Sequence, residues 1–425
     1  MNEYYLSNGI KVFYYPNLHT HSISLGLYIK TGSVYENNSN NGITHLLEHL
    51  HFRRLGKMSQ DELYTKMESI GSSLRAITYK DFLRFYMKIR PKFIKESISF
   101  FQEIINTVKW EEDEFEKEKQ VVLCQIEDKN SYINIDSLVS ETVWKDSPLS
   151  LSIMGTRKNL INMQLDDIVE YKKCYFRPDN LAFFITGCIS NDEIHLINSE
   201  LSSIIFESSL KKCLSREIKI KPNQRSPDIN FVNINGNYLD VNISFDVDYK
   251  LVSREEIILL NCMLGEGVGS KLQRKIREEN ALTSNIYSSV EDYKDVAVIH
   301  IKYSIKKNCL YESLRLIVEV LNSMKIDISK SDFETTIPFY TENLWYILDD
   351  TDELNFKLGY EYFILEMPEY SIDKKISLYK SISGSDLMKA ANIVFKSTNA
   401  SVVVLGSTSK LTKKEIKSIF QMLCT

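Results

Sequence analysis

Apolar and polar positions alternate with a period of two over Lys11–Tyr15 and again over Ile23–Lys30, which predicts two strands. Asn8-Gly9 and Thr31-Gly32 punctuate them as turns. An Asn- and Ser-rich loop over 36–42 then leads into a helix for which Thr44 is the expected N-cap. A strand pair is expected at 73–78 and 82–89. The run EEDEFEKEKQVVLCQIED (111–128) reads as a helix whose acidic first turn suits its dipole. A further helix at 165–174 stops short of Pro178, and the continuous apolar run 181–186 predicts a buried strand. The second half repeats this order loosely. It predicts strands at 238–246, a helix at 253–264, a glycine-rich turn at 265–269, a helix at 270–280 and strands at 285–304. Helices at 309–324, 331–365 and 384–394 and a strand at 400–405 follow. The polar, proline-containing stretch 209–228 reads as a linker, so the expectation is an α+β protein with similar domains at 1–208 and 229–425.

Composition narrows the function without naming it. The 425 residues carry 52 basic against 57 acidic side chains, a net charge of -5, which argues against nucleic acid as a main partner. No apolar stretch reaches the ~18 residues of a membrane span, and the opening residues lack the basic and apolar regions of a secretory signal. The seven cysteines are scattered and odd in number, with no CxxC pair. A reducing, cytoplasmic setting is therefore expected.

Residues 45–49 read HLLEH. His45, Glu48 and His49 stand at i, i+3 and i+4, one face of a helix. Two imidazoles one turn apart can chelate one Zn²⁺, and a carboxylate between them can take a proton from a water that the metal activates. The pattern reverses HExxH and matches the inverzincin signature. The plain alternative is a chance motif, or two histidines packed on an amphipathic helix.

The flanks extend the match. SNGIKVFYYP (7–16), LGLYIKTGSVYE (25–36), NNGITHLLEHLHF (40–52), GSSLRAITYKDF (71–82), FEKEKQVVLCQIED (115–128), residues 155–187 and LGEGVGSKLQRKIREENAL (264–282) run nearly end to end. Together they resemble the inverzincin peptidases, the group of pitrilysin, insulysin and the mitochondrial processing peptidases. The resemblance implies two similar α/β-sandwich halves forming part of a clam-like chamber, with short chains of this kind working in pairs. It implies Zn²⁺ held by His45, His49 and a residue 76 positions beyond His49, with Glu48 as general base. That third position is Gln125, where the family has Glu. A glutamine offers a neutral oxygen, so zinc should be held more weakly. Glu118, two turns earlier on the same helical face, is expected either beside the metal ligands or as a substitute donor. Glu127 and His51 should face away.

The resemblance also assigns a peptide-pairing strand over 73–78, with Leu74, Arg75, Ala76 and Thr78 contacting substrate. Arg75 stands where relatives often have Asn. Either it favours acidic substrates or it is simply solvated, and solvation is the simpler reading. Across the chamber the family presents an Arg and, seven residues on, a Tyr. Arg277 matches the first, or makes only a surface salt bridge with Glu278 or Glu279. Ser284 replaces the second, so a homologous partner subunit, in a homo- or heterodimer, is expected to complete the site.

Other patterns carry less. GEGVGS (265–270) has its third glycine displaced from a nucleotide-binding loop and reads as a turn. The acidic run Asp349–Glu353 lacks the glycine and spacing of a calcium loop, which leaves a solvated helix face or loop. Cys124, beside Gln125, is either a soft metal ligand or, as its helical position favours, simply buried, and His19, His21, His195 and His300 are given no role. The expected function is a zinc-dependent endopeptidase subunit acting on peptides or leader segments, such as those removed in bacteriocin maturation. The rival is a non-catalytic subunit that keeps the fold and the peptide-binding surface.

Overall fold

The computed structural model describes residues 1–106, 109–131, 135–145, 147–206, 228–368 and 371–423. The expected linker 209–228 lies outside the described residues except for Asp228. The chain sorts into two units, and the split is not the simple halving expected at residue 208. Unit 1 takes 1–133, 151–218 and 346–368. Unit 2 takes 134–150, 219–345 and 369–425.

Unit 1 is built on a six-stranded sheet of β1 (Asn2–Tyr5), β2 (Lys11–Pro16), β3 (Ile23–Ile29), β4 (Arg75–Thr78), β5 (Leu83–Ile89) and β6 (Leu181–Gly187). Their order is β1-β2-β6-β3-β5-β4, so β4 is an edge strand. β3 and β6 are buried along their whole length; β6 reads as an apolar run for that reason, whereas β3 reads as an alternation although both of its faces are covered. One face of the sheet is packed by helices that include α1 (Ile43–Arg53), α2 (Gln60–Ser69), α3 (Ile94–Ile105), α4 (Glu112–Ser131), α6 (Leu165–Tyr175) and α7 (Asn191–Ser202). Of these, α2, α3 and α7 were not anticipated. Yet α2 opens on a capping box between Ser59 and Glu62, and α3 buries Ile94, Ile98, Phe101 and Ile105 at helical spacing.

The other face is covered by a helix from the far end of the chain, α11 (Thr351–Leu358). Asn355 donates to Ser24 O at 3.1 Å and Phe184 O at 2.9 Å, and Thr186 Oγ1 donates to Thr351 O at 2.6 Å. Gly26 makes the approach possible, because a Cβ there would stand 2.2 Å from Asn355 Oδ1. The long helix expected at 331–365 is therefore broken. α10 (Lys330–Tyr346) ends, and Asp350 caps a new helix by accepting from the N–H groups of Asp352 and Glu353. An Asp at this point competes with the helical backbone for its own amides.

Unit 2 repeats the plan with β7 (Ile229–Asn233), β8 (Tyr238–Asp248), β9 (Ile286–Asp292), β10 (Val296–Lys306) and β11 (Ala400–Gly406), ordered β9-β10-β8-β11-β7. α8 (Arg254–Asn261), α9 (Leu310–Ile326), α12 (Gly384–Val394) and α13 (Lys413–Phe420) bury an apolar core against it. Its other face receives α5 (Ile135–Val143), which comes from the first half of the chain. Asn230 Nδ2 donates to Thr142 Oγ1 at 3.2 Å, and Lys302 pairs with Asp136 at 2.8 Å. Each unit thus closes one sheet face with a helix borrowed from the other half of the sequence.

Candidate metallopeptidase site

α1 carries the chemistry, and its start is held from a distance. Gly42, at φ 100°, precedes the helix and supplies no side-chain cap. A Cβ at Gly42 would meet Met154 O at 2.7 Å, so the position suits glycine twice over. The buried carboxylate of Glu36 does the capping. It accepts from Gly42 N at 2.7 Å and Asn41 Nδ2 at 2.8 Å through Oε2, and from Thr44 N at 2.9 Å through Oε1. Burial pushes this carboxyl above its ordinary value, against the bonds from Thr44, Gly42 and Asn41 that pull it down. Thr44 is not the cap, because its hydroxyl is engaged with Tyr171 at 2.8 Å.

One turn on, His45, Glu48 and His49 share a half-buried face. The two imidazole rings stand 4.6 Å apart, edge to face. α4 runs beside α1 and brings two side chains to that face. Gln125 Oε1 lies 3.2 Å from His45 Nε2, and Glu118 Oε1 lies 2.8 Å from His49 Nδ1. Glu118 Oε2 lies 3.3 Å from Arg53 Nε. Arg53 was not anticipated, although it follows His49 by four residues and so lies on the same side of α1. With one oxygen on His49 and the other near Arg53, Glu118 stands in an orienting position. Glu127 points away to Arg157 at 3.1 Å, as its helical angle requires.

Glu48 ties α1 to the sheet edge. Its Oε2 accepts the Thr78 hydroxyl from edge strand β4 and lies 3.8 Å from His45 Nδ1. Burial works to raise the Glu48 carboxyl. The contacts from His45 and Thr78 and the nearness of His49 outweigh burial and hold it below its ordinary value. His51 faces the core instead, bonded to Leu47 O at 2.7 Å and stacked on Phe176. Burial lowers its pKa well below the ordinary histidine range.

Does this donor set suit zinc? Ligands at ~2.0–2.1 Å on a tetrahedron stand about 3.3–3.4 Å apart. The 3.2 Å between His45 Nε2 and Gln125 Oε1 is close to such an edge. Among the described residues, no three His, Cys, Asp or Glu side chains are arranged to hold a metal ion. The spacing of His45 Nε2 and Gln125 Oε1 is compatible with two ligands of one zinc, and Glu118 lies where it would orient the His49 ring.

The other expected residues divide. Leu74, just before β4, is buried; on β4, Arg75 is exposed, Ala76 half-buried and Thr78 buried beside Glu48. Arg277 lies in unit 2 on a π-helical turn at 273–278, half-exposed and 3.5 Å from Glu278. That is the surface contact that local sequence also allowed. Ser284 is exposed. Cys124 is exposed and not buried, because α4 turns that position to solvent while Val122, Leu123 and Ile126 face the core. His300 is buried in β10 between Ser244 at 3.0 Å and Glu291 at 3.0 Å, a polar bridge within unit 2.

An HxxEH helix set against the edge strand of a sandwich sheet, in a chain built twice on one plan, defines an inverzincin-type peptidase fold. Residues 11–157 match the insulinase model of peptidase family M16, and residues 162–337 match that family's "inactive domain". The chain belongs to peptidase family M16, the inverzincin zinc proteases. It is 24% identical over 356 residues to the "uncharacterized zinc protease YmxG" of Bacillus subtilis, covering 83% of this chain and 85% of that one. It is 29% identical over 191 residues to the mitochondrial-processing peptidase subunit beta of Bos taurus, covering 44% of this chain and 38% of that protein. A protease from Helicobacter pylori has the same fold, with a TM-score of 0.85 at 22% identity, covering 95% of this chain and 99% of the other.

Proposed function

We propose that this chain is the metal-helix subunit of a zinc-dependent endopeptidase that cleaves peptides or leader segments, including those of bacteriocin-type precursors. One observation carries the reading: the base on the HxxEH helix is bonded to the edge strand on which an extended peptide would add. A peptide pairing with the free edge of β4 through main-chain hydrogen bonds would pass beside Glu48. Thr78 holds Glu48 Oε2, which leaves Oε1 to take a proton from the attacking water and return it to the leaving amine. His45, His49 and Gln125 would hold the metal, and Glu118 with Arg53 would fix the His49 ring. Zinc bound there would polarise the scissile carbonyl and acidify the water.

A homologous partner subunit, in a homo- or heterodimer, is part of the proposal. Arg277 is engaged by Glu278, and Ser284 cannot do the work of a phenol. A relative named as a peptidase subunit supports the same view. No described helix is long and apolar enough to cross a membrane, and Cys124, Cys188, Cys262 and Cys309 are free thiols. Free thiols support a reducing, cytoplasmic setting. A specific observation favours a second reading. The neutral Gln125 makes a weaker metal site, so the chain could instead be a non-catalytic, peptide-binding subunit.

The test is elemental analysis of the purified chain, followed by peptide hydrolysis with and without its partner. We expect close to one zinc per chain. Glu48→Gln should retain the zinc and abolish hydrolysis. Persisting hydrolysis in that variant would remove Glu48 as base, and a chain that takes up no zinc in excess metal would favour the non-catalytic reading.

A further inference from the structure

Edge strand β4 presents two faces, and only one of them turns to the HxxEH helix. Ala76 and Thr78 pair across from Phe85 and Leu83, on the α1 side. Arg75 and Ile77 pair across from Tyr86 and Arg84 and so point to the opposite side, where Arg84 meets Asp352 of α11. On that side lies a cleft of about 590 Å³, lined by Glu68, Ser73, Arg75, Tyr86, Lys88 and Asp352.

The cations of this face are not equivalent. Arg84 is buried on Asp352 and lies over the Tyr86 ring, and Lys88 reaches Asp350 at 3.1 Å. Arg75 is exposed, and its side-chain hydrogen bond is a weak one, from Nε to Ser73 Oγ at 3.3 Å. Among the described residues no carboxylate pairs with its guanidinium. It stands at the mouth of a cleft, on the strand whose outer edge is open.

We propose that Arg75 is a specificity residue that selects an acidic side chain in the peptide, three residues along from the one opposite Thr78. The inference rests on the reading of β4 as the peptide-pairing strand. In a sheet, side chains alternate in direction, so the peptide residue opposite Arg75 points into the α11-side cleft while its neighbours point toward α1. A residue directly opposite on the added strand brings its side chain within reach of the guanidinium, and opposite charges at such a pair attract. A carboxylate is the match to which a planar guanidinium without a carboxylate partner donates two parallel hydrogen bonds. Aspartate or glutamate is therefore favoured there, alanine is neutral, and lysine is disfavoured by Arg75.

The experiment uses the full chain carrying Glu48→Gln, so that binding is read without cleavage. Fluorescein-labelled dodecapeptides from a library with Asp, Ala or Lys placed at each position in turn are titrated by anisotropy. At one position Asp should tighten binding up to about five-fold over Ala, and Lys should weaken it. The preference should fade in 1 M salt. Arg75→Ala should erase the preference and Arg75→Glu should invert it toward Lys, each with an unchanged melting temperature. Binding without a charge preference, or a preference that survives Arg75→Ala, would overturn the assignment while leaving the peptide-pairing strand intact. Failure of every peptide to bind would overturn that strand's role as well.

Discussion

Glu36 offers the sharpest test of how the site is held. It lies outside the HxxEH motif, yet both its oxygens are spent on the start of the helix that carries the motif. Glu36→Ala would strip partners from the amides of Gly42 and Thr44 and from the Asn41 side chain. Each unsatisfied buried group costs about 1–3 kcal/mol. Relief from no longer burying a charge offsets part of that sum. The net loss should be about 2–5 kcal/mol, or roughly 5–15 °C in the melting of a unit of this size. Glu36→Gln keeps one acceptor oxygen but turns an NH₂ toward a donor, so it should lose about half as much. The pH dependence has a definite sign. The folded-state pKa of Glu36 is raised, so the folded chain holds this proton more tightly than the unfolded one. Its stabilising contribution is complete below the unfolded value of 4.5 and declines as pH rises through the folded value. Wild type should therefore lose part of its advantage over Glu36→Gln as pH rises above 4.5. Calorimetry of the three proteins between pH 4 and 8 measures both effects. A loss under about 1 kcal/mol for Glu36→Ala would refute the cap, and a wild-type advantage that grows with pH would refute the direction of the shift.

Two further outcomes test the neighbouring interactions. Gln125→Glu adds an anion where the neutral oxygen now faces His45 Nε2 at 3.2 Å, and should raise zinc affinity by about ten-fold or more in a chelator competition; unchanged affinity would remove Gln125 from the donor set. Arg84→Ala would leave the partly exposed Asp352 without its partner and strip one cation from Tyr86, so unit 1 should lose about 1–3 kcal/mol in urea denaturation; a loss below about 0.5 kcal/mol would show that α11 docks without it.

What could be seen in the sequence was what is local. HLLEH is a spacing within one helical turn and a half, so it places its three side chains together wherever the helix lies. The strand at 181–187 announces itself as an apolar run because both of its faces are covered, and the strand at 23–29 shows as an alternation whose small and polar positions, Ser24 and Gly26, lie under α11. The cap of α1 was misjudged because the capping oxygen folds back from Glu36, and a threonine at a helix start is the nearer candidate. The helices at 60–69 and 94–105 went unread despite a capping box and a clear apolar stripe, signals that were available. The exchange of 135–143 and 351–358 between units has no local signature, since each helix is simply amphipathic until the sheet it covers is known. The break before 351 was legible in principle, in the acidic cluster that instead read as a solvated face.

The duplicated plan and the single site can be reconciled through what each demands of the chain. A sheet must cover both faces, and any amphipathic helix of the right length will do so. That requirement is met in both units by unrelated side chains, and sequence can drift widely while it is met. Chemistry demands particular atoms. α8, the first helix after the long strand β8 of unit 2, has a well-formed capping box between Ser253 and Glu256 but contains no histidine. Unit 2 therefore keeps the scaffold and lacks the HxxEH chemistry, consistent with its match to the family's inactive domain. Within unit 1 the same reasoning applies to one position. On the proposed reading, Gln125 keeps the size and placement of a third donor on α4 and gives up only its charge. Packing is indifferent to that exchange, because the two side chains are nearly isosteric. Metal affinity is not indifferent, because an anion becomes a neutral dipole beside the cation. The replacement thus changes the strength of the site without changing its shape. Zinc content and peptide hydrolysis measured on the same preparation therefore separate the two readings.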